Sequence, residues 1–557
     1  MKGSEAIANI LKQEGVKYVP CFPGGGAIDI INALADVPEV QTVLTRHERV
    51  ACDIADGYAR ATNDVGVVLP SQGPGVAHAF AGIAQSYSDG TPVLCLAGQV
   101  SRQLIGTQAV QEVQDMDFFR SVAKWVGRIN LIERIPEMMR RAFTVLRSGQ
   151  RRPVVLSIPS DISSGEVEDE KLAYDLVAKG WTVGGDPRDI EQAAKALISA
   201  KNPLIHAGAG VLYSKAWDEL QELAELLQAP VTSTLNAKGV FPENHPLSLG
   251  LAGRIGTKQA AHFLRKADIL FAIGNSFRNR RGGMGIPVPR GIKLIHSNIS
   301  ELDINRVYKT DLGILGDAKL VLRQLTEAVK KLTGGKRKED ENLQKEISKV
   351  RKEWLNEWMP RLTSDEVPIN PYRFTWDLMQ TVDKDNTIVT HDAGLPRWHV
   401  SHFYEATFPR SYLGMGGQSE MAWSLGAAMG AKLAHPDKLV VCVMGDGAYG
   451  MTGMEMETAV RNDIPILVVV TNNQGLGMYE VLTPSTSKLS GDYSKVAEGL
   501  GAYAERVEKP DDIVPAIKRA SRQVKDGTPA LLDVVVKLEL IGDMRKSWDD
   551  LYADEKW

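Results

Sequence analysis

The sequence predicts an α/β protein built of three parallel-sheet domains, on three observations. Short apolar runs alternate with helical patterns along the chain, the signature of βαβ units. Two polar or charged stretches, Ser163–Asp169 and Gly334–Lys352, interrupt that rhythm and leave three blocks. A chain of 557 residues also exceeds what one hydrophobic core supports.

The elements follow in order. Residues 1–15 (MKGSEAIANILKQEG) predict an amphipathic helix with Ile7, Ile10 and Leu11 on one face. The first block, residues 1–165, carries strand candidates at Val40–Thr45, Val65–Leu69, Pro92–Leu96 and Pro153–Ile158. The second, 189–333, carries them at Pro203–Ala207, Ile269–Ile273 and Lys293–His296. The segment that ends it reads as a linker or solvent-exposed helix, because Lys336–Lys338 is followed at once by Glu339–Glu341. The third, 370–557, has strands at Thr387–Thr390, Leu439–Met444, Ile466–Val470 and Ala530–Val536, with a helix over 454–462.

Composition narrows the function classes. A net charge of −4 offers no electrostatic footprint for nucleic acid or an anionic membrane. Cys21, Cys52, Cys95 and Cys442 form no CxxC pair and sit in apolar segments, so buried reduced thiols are expected. No apolar run reaches the length of a membrane span, and the N-terminus lacks a signal-peptide core. A cytoplasmic location is the expectation.

The chemistry-bearing motif is VMGDGAYGM, residues 443–451. A buried strand ends there in Asp446, between Gly445 and Gly447. Ligands in open α/β sheets bind at the carboxyl ends of strands, and the glycines let a ligand approach the backbone. The next strand ends in Asn472-Asn473-Gln474-Gly475. A carboxylate, a side-chain amide and a backbone carbonyl are hard oxygen ligands that suit Mg²⁺ bridging to phosphate. Taken alone, Asp446 could equally cap the following helix.

GDG followed by NN, with residues 448–471 between them, resembles the thiamine-diphosphate fingerprint. The resemblance spans nearly the whole chain and is strongest to the acetolactate synthase and pyruvate oxidase branch. It rests on FPGGGAIDIINAL, RHERVACDIADGYARAT, SQGPGVAHAFAGIAQSYSDGTPVL, LIGTQAVQEV, APVTSTLNAKGVFPENHPLSLG and GMGGQSEMAWSLGAAMGAKLA. It implies three doubly wound parallel-sheet domains: pyrimidine-binding, central and diphosphate-binding. It implies Mg²⁺ on Asp446, the Asn473 side chain and the Gly475 carbonyl. Gly445 and Gly447 would make room for the diphosphate, and Gly25, Pro74, Ala448, Leu476, Gly477 and Met478 would also bind the cofactor. Glu48 matches the glutamate that hydrogen-bonds the aminopyrimidine ring and favours the imino form that removes the thiazolium C2 proton. Met421 matches the apolar wedge that bends the cofactor, and Ser419 would offer its carbonyl to the exocyclic amine. In the family the two halves come from different subunits, which implies a homodimer or homotetramer.

Substrate positions match less closely. Gln111 and Lys124 resemble polar positions near the acetolactate synthase channel, but Val110 stands where that enzyme has phenylalanine. Lys124 could equally be a surface lysine beside Trp125. HDAGLPRWH, residues 391–399, replaces the family's glycine-glutamine-histidine run, leaving no cofactor role expected for that loop. In the central block, Ser276 precedes Phe277 where the family's flavin-binding arginine would be, and Arg278 follows it. The HAGAG turn, His206–Gly210, could serve FAD, an ADP-type nucleotide or packing alone.

The leading expectation is an enzyme dependent on thiamine diphosphate and Mg²⁺ that decarboxylates 2-oxo acids and joins carbonyl carbons. The alternatives are an oxalyl-CoA decarboxylase or 2-hydroxyacyl-CoA lyase, with RKSWDDLYADEKW as a lid, and a non-catalytic regulatory or assembly subunit.

Overall fold

The computed structural model describes residues 1–176, 180–278, 285–335, 340–477, 484–539 and 547–555. Met478, Lys336–Glu339, and residues 545, 546, 556 and 557 of the C-terminal tail lie outside them. Three parallel sheets organise the chain.

The N-terminal domain contains β1 (Tyr18–Cys21), β2 (Gln41–Leu44), β3 (Gly66–Val68), β4 (Val93–Gln99), β5 (Trp125–Arg128) and β6 (Val154–Pro159). Its order is β3-β4-β6-β5, extended on the β3 side by the β1-β2 pair through a Cys21–Leu69 bridge. The central domain contains β7 (Pro203–Ala207), β8 (Val231–Ser233), β9 (Ser248–Leu251), β10 (Ile269–Ile273), β11 (Lys293–Asn298) and β12 (Leu312–Leu315) in the order β12-β11-β10-β7-β8-β9. The C-terminal domain contains β13 (Thr387–His391), β14 (Tyr412–Leu413), β15 (Leu439–Gly445), β16 (Leu467–Asn472), β17 (Tyr503–Val507) and β18 (Ala530–Val535) in the order β14-β13-β15-β16-β18-β17.

Central strands such as β10 are buried at every position, which is why they read as unbroken apolar runs. Helices cover them from both sides. The N-terminal helix, Gly3–Gln13, turns Ile7, Ile10 and Leu11 into the first core. Each sheet has one point where strand order reverses: between β1 and β3, between β10 and β7, and between β13 and β15. Crevices at strand carboxyl ends open at such points. The three switch points therefore specify three candidate sites.

The charged segment after the central domain is not a linker. Residues Glu341–Leu362 form one helix that buries Ile347, Val350, Trp354, Trp358 and Leu362. Trp354 stacks on Phe403 with ring centroids 5.3 Å apart. The abundant charges on its other face masked this stripe in the sequence.

Two features lock the N- and C-terminal domains together. Helices Glu48–Thr62 and Trp423–Ala434 approach so closely that a Cβ on Gly57 would lie 2.3 Å from the Ala427 carbonyl oxygen. Beside them, Arg60 donates to Asp56 at 2.6 Å, Asp89 at 2.7 Å and the Gly414 carbonyl at 3.0 Å, under the Trp423 ring.

The described tail, residues 547–555, docks on the central domain. Trp548 is fully buried there and donates to the Gly256 carbonyl, and Asp550 pairs with Arg265. All four cysteines are free and buried. Among the described residues, no helix is long and apolar enough to cross a membrane.

Candidate functional site

The site at the C-terminal switch point grows directly from β15 and β16. β15 delivers Gly445, and a short helix, Asp446–Thr452, begins at the next residue. Asp446 does not simply cap that helix. Its Oδ1 accepts from the Gly447 amide at 2.9 Å, and its Oδ2 from the Gly475 amide, beyond the neighbouring strand, at 2.9 Å. The same Gly475 amide donates to Asn473 Oδ1 at 3.2 Å, so one N–H gathers the carboxylate and the side-chain amide at one point. The two asparagines divide their work: Asn472 turns into the sheet and donates to Asp533 at 2.9 Å, leaving Asn473 to face the cavity.

Around this point lies a cavity of about 260 Å³ lined by Gly445–Ala448, Thr471, Asn473, Gly475–Gly477, Ser419, Met421 and the turn after β13. A Cβ added to Gly445 would meet nothing within 4 Å, so protein packing does not demand a glycine there. Burial pushes the Asp446 carboxyl up to about 6, and its hydrogen-bond partners are backbone amides. A buried carboxylate with only neutral partners is stabilised by a cation. The residues present therefore fit a divalent metal with an anion beside it.

Met421 and Ser419 are held by an unusual turn. Ser419 and Ala422 both have positive φ, 57° and 70°, where non-glycine residues carry strain. Asp392, at the end of β13, secures the turn by accepting from Ala422 N at 2.8 Å and from the Ser424 amide and hydroxyl at 3.1 and 2.6 Å. Arg397 donates to Ser419 Oγ at 2.7 Å. The 391–399 loop, for which no cofactor role was expected, does line the cavity through Ala393, Gly394, Leu395, Pro396 and His399.

Glu48 lies elsewhere. It opens the helix after β2 and is buried at the N-terminal switch point. Its Oε1 accepts from Ser71 Oγ at 3.1 Å, and its Oε2 lies 3.0 Å from His78 Nδ1. Gly75 makes room, since a Cβ there would fall 2.4 Å from Oε1. Gly25 accepts from the Gln72 amide, and Pro74 opens the helix that carries His78. Among the described residues, none before Pro371 lines the Asp446 cavity, so Glu48 and Asp446 of one chain do not share that pocket. Ser71 and His78 escaped the sequence reading; the signal was their position within SQGPGVAH, on either side of the helix start facing Glu48.

Gln111 accepts from Gln72 at 3.2 Å and sits over Gly73, near the Glu48 cluster, and Val110 is 87% exposed. Lys124 donates to the Val145 and Ser148 carbonyls at 2.9 and 2.6 Å, closing the end of helix Ile135–Arg147. The cation over the Trp125 ring is Arg141, at 4.5 Å.

The central switch point holds a cavity of about 350 Å³ between the turns after β7 and β10. Gly208 and Gly274 pack backbone to backbone: a Cβ on Gly208 would lie 2.3 Å from the Gly274 oxygen. Arg147, Arg151 and Arg278 line the cavity along with Asp303 and Asp317. Arg278 donates to the Ser88 carbonyl at 2.6 Å.

A buried carboxylate and a side-chain amide at two adjacent strand ends, with open space beside them, form a crevice of the kind that binds ligands in α/β proteins. Comparison with known proteins narrows the class. The N-terminal TPP binding domain of thiamine pyrophosphate enzymes matches residues 1–118, their central domain matches 190–325, and their C-terminal TPP binding domain matches 392–534. The probable acetolactate synthase large subunit of Methanocaldococcus jannaschii is 38% identical over 96% of this chain and 92% of its own. The acetolactate synthase isozyme 3 large subunit of Escherichia coli is 32% identical over 96% and 95%. The acetolactate synthase large subunit of Corynebacterium glutamicum is 32% identical over 96% and 87%. The chain belongs to the thiamine pyrophosphate enzymes and is a thiamine-diphosphate-dependent enzyme that makes or breaks carbon–carbon bonds.

Proposed function

We propose that this enzyme is a Mg²⁺-dependent carboligase of the acetolactate synthase type, cytoplasmic, which decarboxylates a 2-oxo acid and joins the remaining unit to a second carbonyl. The observation that carries the reading is the Gly475 amide shared by Asp446 and Asn473 beside the open flank of Gly445. The names of relatives that match the chain along nearly its full length support the reaction type.

In this reading Asp446, Asn473 and the Gly475 carbonyl hold Mg²⁺. Gly445, Gly447, Ala448, Leu476 and Gly477 would surround the diphosphate; Met478, expected there from the resemblance, lies outside the described residues. When bound, thiamine diphosphate supplies a nucleophilic carbon and an electron sink. The chain supplies the rest. Met421, on the strained turn, would support the cofactor, the Ser419 carbonyl would accept from its exocyclic amine, and Glu48, with Gly25 and Pro74 nearby, would hold a proton at its pyrimidine end. Because Glu48 lies outside the Asp446 cavity of its own chain, each complete site takes its halves from two copies, in a dimer or tetramer. Val110 and Gln111 flank the substrate. Lys124 reaches it only by releasing the Val145 and Ser148 carbonyls. The central cavity would take FAD or an ADP-type nucleotide. The domain limits are 1–165, 189–333 and 370–557.

The test is a screen of 2-oxo acids with added thiamine diphosphate and Mg²⁺, reading CO₂ release and acyloin formation. Turnover requiring both additions is expected. Near wild-type turnover by Glu48→Gln would overturn the assignment of Glu48, and turnover of acyl-CoA substrates in place of 2-oxo acids would overturn the reaction type.

A further inference from the structure

Both oxygens of Glu48, at the N-terminal switch point, are engaged: Oε1 by Ser71 Oγ, Oε2 by His78 Nδ1. The two engagements differ in kind. A serine hydroxyl only donates or accepts, whereas an imidazole changes its charge near neutral pH. They also differ in access. The Glu48 side chain is 7% exposed and the His78 side chain 49%, so the imidazole spans from the buried carboxylate to the surface of the chain.

We propose that His78 is a positioning residue for Glu48 and the route by which the Glu48 carboxyl exchanges its proton with solvent. The proposal rests on Glu48 acting as the acid–base group named above.

The step balances without any further reactant. Protonated Glu48 donates its Oε2 hydrogen to neutral His78 at Nδ1, giving a carboxylate and an imidazolium. The imidazolium then loses its Nε2 hydrogen to water and is left as the Nδ1–H tautomer. That tautomer donates to the carboxylate, which fixes the rotamer of Glu48 while it is ionised. The reverse sequence returns the proton.

The surroundings favour His78 over its neighbour for this task. His47 stacks on His78 with centroids 4.6 Å apart, but its Nδ1 already accepts from the Arg49 amide as the helix cap. Burial and the nearby His78 also hold His47 below the usual imidazole range. Arg49 is committed to Glu420, at 2.6 Å, and Asp53, at 3.7 Å. Among the described residues, the titratable groups facing His78 are therefore Glu48 on the carboxylate side and the His47 ring on its face, with the Arg49 guanidinium drawn away.

The experiment compares His78→Asn, His78→Ala and Glu48→Gln in the full-length enzyme. In cofactor-free protein carrying ¹³C-labelled histidine, the His78 resonance is followed through a pH titration. Glu48→Gln is expected to change that titration, because the carboxylate beside Nδ1 becomes a neutral amide. In the loaded enzyme, His78→Asn, which keeps a hydrogen-bond donor but cannot titrate, is expected to lower kcat by about tenfold or more and remove the acidic limb of its pH profile. Added imidazole should restore His78→Ala but not His78→Asn, while cofactor affinity changes by less than about threefold. An unchanged His78 titration in Glu48→Gln, or wild-type kcat and pH profile in His78→Asn, overturns the proposal. If Glu48→Gln itself turns over normally, the fault lies with the role of Glu48 and not with His78.

Discussion

The Asp446 carboxylate and the Gly475 amide, contributed by two neighbouring strand ends, are joined by a 2.9 Å hydrogen bond. That bond brings Asp446 to Asn473, because the same amide also reaches Asn473 Oδ1. Asp446→Asn keeps the shape but removes the charge that balances a divalent cation. Affinity for Mg²⁺-thiamine diphosphate is expected to fall on the order of a hundredfold, about 3 kcal/mol for a charged partner lost. Titration calorimetry at fixed Mg²⁺ checks this; an affinity within twofold of wild type would refute it.

Met421 projects from a strained turn into the same cavity. Met421→Ala removes the side chain without touching a polar ligand. It is expected to lower kcat by about a hundredfold, the penalty of misplacing reacting groups by roughly 1 Å, with little change in cofactor affinity. Steady-state kinetics beside a binding titration separates the two effects.

Arg60 serves two carboxylates and a carbonyl in an interior shared by two domains. Arg60→Ala strands Asp56 and Asp89 without their cation. Loss of one partner of a buried ion pair costs about 3–5 kcal/mol, so urea unfolding is expected to show a midpoint lowered accordingly. An unchanged midpoint would count against the clamp.

Burial raises the Glu420 carboxyl to about 7, against the pull of Arg49. In the unfolded chain a glutamate titrates near 4.3, so between about pH 4.3 and 7 the native state holds a proton that the unfolded state releases. Stability therefore falls as pH rises through that window and stays low above it. Glu420→Gln removes this dependence. Its melting temperature is expected to match wild type near pH 4.5 and to exceed it above pH 7, by the equivalent of roughly 3–4 kcal/mol. Parallel melting curves across that range would disprove it.

Much of this molecule was legible in local pattern. β7 and β10 fall at the limits their apolar runs predict, because a strand buried on both faces must be apolar throughout. β14 was not legible: two residues, Tyr412–Leu413, carry no period. β17 was missed because four of its five residues are only partly buried, so its sequence, Tyr-Ala-Glu-Arg-Val, reads as polar. Of the two readings of the charged segment, the helix held and the linker did not; its buried stripe was hidden because its outer charges outnumber it.

The crevice at the C-terminal switch point was written in sequence, since Asp446 and Asn473 each follow a strand and a strand end announces itself by an apolar run stopping in glycine and polar residues. What tertiary structure alone decided is which side chains meet. Adjacent asparagines were divided between sheet and cavity by strand alternation, and Lys124 was drawn to a helix end by free carbonyls. Glu48 and His78 are 30 residues apart and meet only because their helices flank one strand-order reversal. Local sequence encodes the elements through burial and backbone preference; contacts between distant side chains depend on how the packed sheets bring their ends together.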